Sequence, residues 1–218
     1  MAKRKNKKET RKEIEDRGSS KKEILINQNR ILKNFLIVMV GIIVLILIFV
    51  FAVKSINSFE YRGVEFKIVK FCDAGPCLVT YNTKLPVIYQ GKNTTYNFYL
   101  RNDPRKLAEK VPFDGSLLLR KNMFVKITFD NYCKGFESIA VENFLNLHRI
   151  ADINVSSGEN TSCDLTGRNM YVLIQEADRT YIEQTGPVCY NINIKNCEIL
   201  EGTERFMIET FIKLNKIV

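Results

Sequence analysis

Six cysteines, one histidine and one dense polar cluster are the residues of this sequence with chemistry to offer. Cys72, Cys77, Cys133, Cys163, Cys189 and Cys197 could be metal ligands, redox catalysts or disulfide partners. Structural zinc sites come as paired Cys-x2-Cys halves, and none is present; the single histidine, His148, rules out a multi-histidine site. No metal and no cofactor is therefore expected. The closest cysteine pair, Cys72-Asp-Ala-Gly-Pro-Cys77, has C-x4-C spacing, not the C-x-x-C of thioredoxin-type catalysts. Cys133, just before a helix start at Gly135, would have a lowered pKa if it were free. The sequence also lacks HExxH, GxSxG, a phosphate-binding glycine loop and an EF-hand, so no catalytic residue is assigned.

The polar cluster is Arg101-Asn-Asp-Pro-Arg105. Asn-Asp-Pro specifies a turn, and Arg101 and Arg105 can satisfy the Asp103 carboxylate locally. As a binding site, the same two arginines would grip an anionic sugar or a partner's carboxylate. Asp103 and Asp130 are the carboxylates a hydrolase reading would use. His148, near the end of a helix, reads as a C-terminal residue favoured by the helix dipole and not as a general base.

The element that places these residues is the run from Phe35 to Val53, nineteen residues without a charge. As a helix it would cover roughly 28 Å, the thickness of a bilayer's hydrocarbon core. It exceeds the roughly 7–15 apolar residues of a signal peptide, and no small-x-small cleavage site follows at Ala52-Val53-Lys54, so the expectation is an uncleaved signal anchor. Residues 1–34 hold twelve Lys and Arg against five acids, +7 of the chain's +9. The positive-inside rule puts that tail in the cytoplasm and residues 59–218 outside the cell membrane. Residues 2–22, nearly devoid of apolar side chains, are expected to be disordered, and Lys21, Lys22, Arg30 and Lys33 to meet anionic lipid. Without an aromatic residue for base stacking, the tail is not expected to bind nucleic acid.

All six cysteines and all three Asn-X-Ser/Thr sequons, at Asn93, Asn154 and Asn160, fall after the apolar run, as expected of a domain matured in an oxidising, glycosylating compartment. Alternation of apolar and polar residues predicts strands at 64–71, 78–83, 95–100, 123–130, 170–176, 180–184 and 189–195. Phe136, Ile139, Ala140, Phe144, Leu147 and Ala151 form one apolar stripe and predict a helix packed on the sheet. The stretch 204–214 satisfies both periods in part and is assigned to a strand. The fold class is therefore α+β: one transmembrane helix, then one disulfide-bonded, β-rich domain with one main amphipathic helix. No stalk separates the two.

If Cys189 to Cys197 is one extended strand, its ends lie about 26 Å apart, well beyond disulfide reach. Those two cysteines should not pair. Gly75-Pro76 supplies a turn that lets Cys72 close on Cys77. Cys133 and Cys163 are then left to pair with Cys189 and Cys197 in either of two ways.

The anchor together with YNFYLRNDPRKL and GPVCYNINIKNCEILEGTERF resembles uncharacterised membrane-anchored proteins of small-genome archaea over most of residues 59–212. The resemblance implies this layout and no activity. The expectation is a non-enzymatic cell-envelope protein, anchored in the lipid bilayer, whose outer domain binds a protein or glycan partner or serves as a scaffold. The competing expectation is an extracytoplasmic enzyme, either a thiol-disulfide oxidoreductase or a carboxylate-dependent hydrolase.

Overall fold

The computed structural model describes residues 30, 32–51, 57–72, 75–89, 91–128, 133, 135–158 and 161–216. Most of the basic tail, together with Asp130 and Asn160, lies outside the described residues. By internal contacts the chain divides into two units, residues 1–56 and 57–218.

The first unit contains helix α1, Leu32–Phe51, twenty residues with a mean hydropathy of 3.2 and no residue buried within the protein. It is long and apolar enough to cross a membrane. A helix that is apolar all round has its favourable environment in lipid, where its backbone groups are already satisfied.

The second unit is α+β. Four antiparallel strands come first: β1 (Ser58–Tyr61), β2 (Val64–Phe71), β3 (Leu78–Tyr89) and β4 (Lys92–Leu100), in sheet order β1-β2-β3-β4. The β1–β2 connection is a two-residue turn, Arg62-Gly63, with φ of 51° and 89°. Positive φ at both positions matches the twist of paired strands. The β2–β3 connection is closed by the Cys72–Cys77 disulfide.

Helix α2 (Pro104–Lys110) follows. Asn-Asp-Pro, read above only as a turn, is the start of this helix: Asp103 is its N-cap and Pro104 opens the first turn, where a missing N–H costs nothing. Then come β5 (Phe113–Asp114), β6 (Asn122–Ile127), helix α3 (Phe136–Ile150), β7 (Asn154–Ser157), β8 (Met170–Glu176), β9 (Tyr181–Gly186), β10 (Cys189–Ile194) and helix α4 (Ile199–Asn215). The second sheet runs β5-β9-β10-β8-β6-β7, with β10, β8, β6 and β7 mutually parallel and β9 antiparallel to β10. α3 is the crossover between parallel neighbours β6 and β7. Buried β8 reads MYVLI, the near-continuous apolar run expected where strands are covered on both faces.

α4 corrects the strand assignment of residues 204–214. Most of its residues, from Ile199 to Ile212, are buried. A helix covered on several sides shows no clean apolar stripe, so its sequence satisfies neither period well. Phe206 lies at its centre, 5.5 Å from the rings of Phe144 on α3 and Tyr190 on β10, and Phe211 lies 5.4 Å from Phe98 on β4. α4 thus joins both sheets and α3 in one core. Gly202 makes the approach to β10 feasible, since a Cβ there would stand 2.3 Å from Ile194 Cδ1. That close approach explains a glycine inside a helix, where it costs about 1 kcal/mol of propensity.

Two long-range disulfides complete the domain. Cys133–Cys197 ties the segment before α3 to the β10–α4 junction, and Cys163–Cys189 ties the β7–β8 connection to β10. No cysteine among the described residues is free. Cys189 and Cys197 do not pair, and the alternative left open between the two remaining pairings is resolved. The strand ends at Ile194, so Cys197 already belongs to the turn leading into α4.

Candidate functional site

The cluster singled out in sequence is brought together, but not as an open grip. Asp103 Oδ1 accepts from the Arg105 backbone N–H and from Arg105 Nε, both at 3.0 Å, and Oδ2 accepts from Nη2 at 2.7 Å. This pairing holds the Asp103 carboxyl below the usual carboxylate range. The Arg105 guanidinium also lies 3.9 Å from the centre of the Phe59 ring, a cation–π contact. Arg105 is therefore committed to the helix cap and to β1. The Arg101 side chain is exposed, and no partner for it occurs among the described residues.

A carboxylate pulled down and bonded through both oxygens to its own guanidinium is a poor general acid or base, which needs a pKa near the working pH. That argues against Asp103 as a hydrolase residue. The oxidoreductase reading requires an accessible thiol pair, and among the bridges only Cys72–Cys77 has both cysteines exposed.

What holds the cluster is a residue that sequence reading did not single out. Glu204 on α4, 2% exposed, accepts from the backbone N–H of Arg101 at 2.7 Å and from the backbone N–H and side-chain amide of Asn102 at 2.9 and 2.8 Å. Burial pushes its carboxyl up to about 7, against the downward pull of those donors.

His148 corrects the dipole reading. It is fully buried, with Nδ1 2.8 Å from the Phe144 carbonyl and Nε2 3.4 Å from Thr210 Oγ1. Its ring lies 4.6 Å from Phe144 and 5.9 Å from Phe206. Desolvation lowers its pKa to about 4, so it is a neutral core residue that donates from Nδ1 and gains nothing from a helix terminus. Asn93 on β4 and Asn154 on β7 are exposed, each on an edge strand of its sheet. The Asn154 amide donates to Asn122 Oδ1 at 3.2 Å.

A second polar constellation lies beside α4. Arg205, Glu209 and Lys213 are spaced i, i+4, i+8 and share one helix face. With Arg62, Phe113, Gly115, Ser116 and Leu117 they line a cleft of about 200 Å³. Arg205 is 6% exposed; its Nε donates to the Val111 carbonyl at 3.1 Å and its Nη1 to Glu209 Oε1 at 2.7 Å. Arg62 reaches the same Glu209 oxygen from the β1–β2 turn. The turn is also fastened by Asn215, whose side-chain amide donates to the Gly63 carbonyl at 2.6 Å. Its lining carries three cations and one acid. The signal was present as a spacing, but it is legible only if 204–214 is taken as a helix.

No protein-family model matches the chain, and neither does any of the curated proteins or solved structures compared with it. Among the described residues there is no group of His, Cys, Asp and Glu suited to hold a metal ion.

Proposed function

We propose that this chain is a single-pass membrane protein with its basic tail in the cytoplasm, whose disulfide-closed domain works outside the cell membrane as a binding or scaffolding module of the envelope. One observation carries the reading: a helix fit to cross a membrane precedes a domain in which every described cysteine is bonded. Disulfides persist in oxidising compartments and are rare in the cytosol, which supports an outward domain. The charge excess of residues 1–34 supports the same orientation, since basic flanks stay inside. The exposed Arg101 side chain and the cationic cleft are two polar surfaces available for recognition. Asn93 and Asn154, both exposed, and the third sequon at Asn160 are the places where carbohydrate would attach in a glycosylating compartment.

The test uses intact cells expressing the full chain with an N-terminal epitope. External protease should remove the domain and leave the epitope protected, and alkylation without prior reduction should label no cysteine. An epitope lost while the domain survives, or thiols labelled in the mature protein, would overturn the orientation.

A further inference from the structure

We propose that the cleft between the β1–β2 turn, the Phe113–Leu117 segment and α4 binds a phosphate monoester, with the phosphate held by Arg62, Arg205 and Lys213 and the esterified group lying against Phe113. This deepens the binding reading by naming a ligand class, but it concerns the folded domain and holds on whichever side of a membrane that domain lies.

Charge is the first argument. Glu209 Oε1 is shared by two guanidiniums, and Lys213, one turn further along α4, forms no ion pair among the described residues. A buried arginine–glutamate pair alone would be self-sufficient; here two guanidiniums meet one carboxylate and a third cation, Lys213, lines the same cleft. The surplus of two positive charges matches a phosphate monoester, which carries about −1.5 to −2 at neutral pH.

Geometry is the second. Arg205 is anchored through Nε to the Val111 carbonyl and through Nη1 to Glu209, which leaves Nη2 without an acceptor among the described residues. A guanidinium fixed in this way presents its remaining donors at little entropic cost, the arrangement suited to oxyanion recognition. Arg62 occupies a positive-φ turn position where Asn, Asp or Gly would sit without strain, so its side chain and not its backbone preference explains its presence.

Size and wall chemistry are the third. A volume of about 200 Å³ lies below the roughly 300–1,000 Å³ of drug-sized sites and suits one sugar-sized group. Phe113, itself 5.6 Å from the Arg205 guanidinium, supplies an apolar wall next to the cationic one. Such an ester reaches the cleft as a soluble sugar phosphate or as the headgroup of a monoester lipid.

The experiment uses the full chain. In detergent micelles, inorganic phosphate and glucose 1-phosphate are titrated by equilibrium dialysis. In nanodiscs of phosphatidylcholine with or without phosphatidic acid, thermal unfolding of the domain is followed. Lys213→Ala removes a side chain that makes no ion pair, so the fold is retained; Arg62→Ala is the second variant. Saturable binding of glucose 1-phosphate at or below about 1 mM, with or without binding of inorganic phosphate and weakened about tenfold by each variant, supports the proposal with a soluble ligand. Stabilisation by phosphatidic acid alone, lost in Lys213→Ala, supports it with a lipid ligand, since the basic tail is unchanged in that variant. Absence of both, or binding unaffected by both variants, overturns it.

Discussion

Two buried titratable groups bracket α4 with opposite demands on pH, and their cancellation can be tested. Glu204 is raised from 4.5 to about 7 by burial, so the folded domain holds its proton more tightly than the unfolded chain does. Its contribution to stability is fully present below pH 4.5 and is lost as the pH rises through about 7. His148 is lowered from 6.5 to about 4, so the fold prefers it neutral. Its contribution is present above pH 6.5 and is lost as the pH falls through about 4. Each shift spans about 2.5 pH units, on the order of 3–4 kcal/mol at about 1.4 kcal/mol per unit. Over the shared window the two slopes oppose each other, and the wild-type contribution from this pair should vary by no more than about 1 kcal/mol. Asp103 and Glu198, both lowered by their partners, act mainly below that window.

The perturbations are Glu204→Gln and His148→Leu, made separately in the full chain in detergent. The readout is urea unfolding followed by tyrosine emission, because the sequence has no tryptophan and all nine tyrosines follow residue 58. His148→Leu leaves Glu204 unopposed, so stability should fall by about 3–4 kcal/mol from pH 4.5 to just above 7. Glu204→Gln leaves His148 unopposed, so stability should rise by about 3–4 kcal/mol from pH 4 to 6.5. The glutamine amide must also face one of the donors of Arg101 or Asn102, a pH-independent loss of about 1–3 kcal/mol. If both variants keep the wild-type pH profile and differ only by a constant, the assignment of these two groups is refuted.

Other outcomes follow from the same geometry. On loop-closure entropy, replacing Cys133 and Cys197 by Ala should cost about 4 kcal/mol, Cys163 and Cys189 about 3.5, and Cys72 and Cys77 about 2, for separations of 64, 26 and 5 residues. A reversed order in urea midpoints would show that local packing, not chain entropy, dominates. Asp103→Ala removes the α2 cap and the partner of Arg105 and should cost about 1–2 kcal/mol, while Arg101→Ala, whose side chain has no partner among the described residues, should stay within about 0.5 kcal/mol. Equal losses for the two would mean that Arg101 has a structural role.

How much of this was legible in the sequence depended on whether an element's surroundings repeat with its own period. α3 has one buried face, and Phe144 and Leu147 announce it. The short Cys72–Cys77 loop could close on itself whatever else the chain did, and the extended strand reading excluded a Cys189–Cys197 bridge on length alone. The choice between the two long-range pairings needed tertiary placement, because nothing local distinguishes Cys133 from Cys163 as a partner. α2 was masked differently: Asn-Asp-Pro serves equally as a turn and as a capped helix start, and the deciding contact comes from Glu204, about a hundred residues away in sequence.

α4 shows why a polar site can be invisible along the chain. Its Glu204, Arg205, Glu209 and Thr210 are all buried, so polarity in this segment does not mark a solvent face and breaks the apolar rhythm that would have identified a helix. Burying those charges is costly unless each has partners, and each does: two backbone N–H groups and an amide for Glu204, a carbonyl and a carboxylate for Arg205, two guanidiniums for Glu209. A helix needed only to fill a core would be more cheaply built from apolar residues, since replacing buried ion pairs by hydrophobic packing is often neutral or stabilising. Glu204 has a structural use in fixing the α2 start. Among the described residues Arg205 and Glu209 hydrogen-bond to each other, to Arg62 and to one carbonyl, and with Lys213 they line the cleft. The part of α4 whose charges exceed what packing requires is therefore the part facing that cleft, and it is at Lys213, which forms no ion pair among the described residues, that substitution should alter binding before it alters the fold, whereas loss of Arg205 or Glu209 would strand a buried charge.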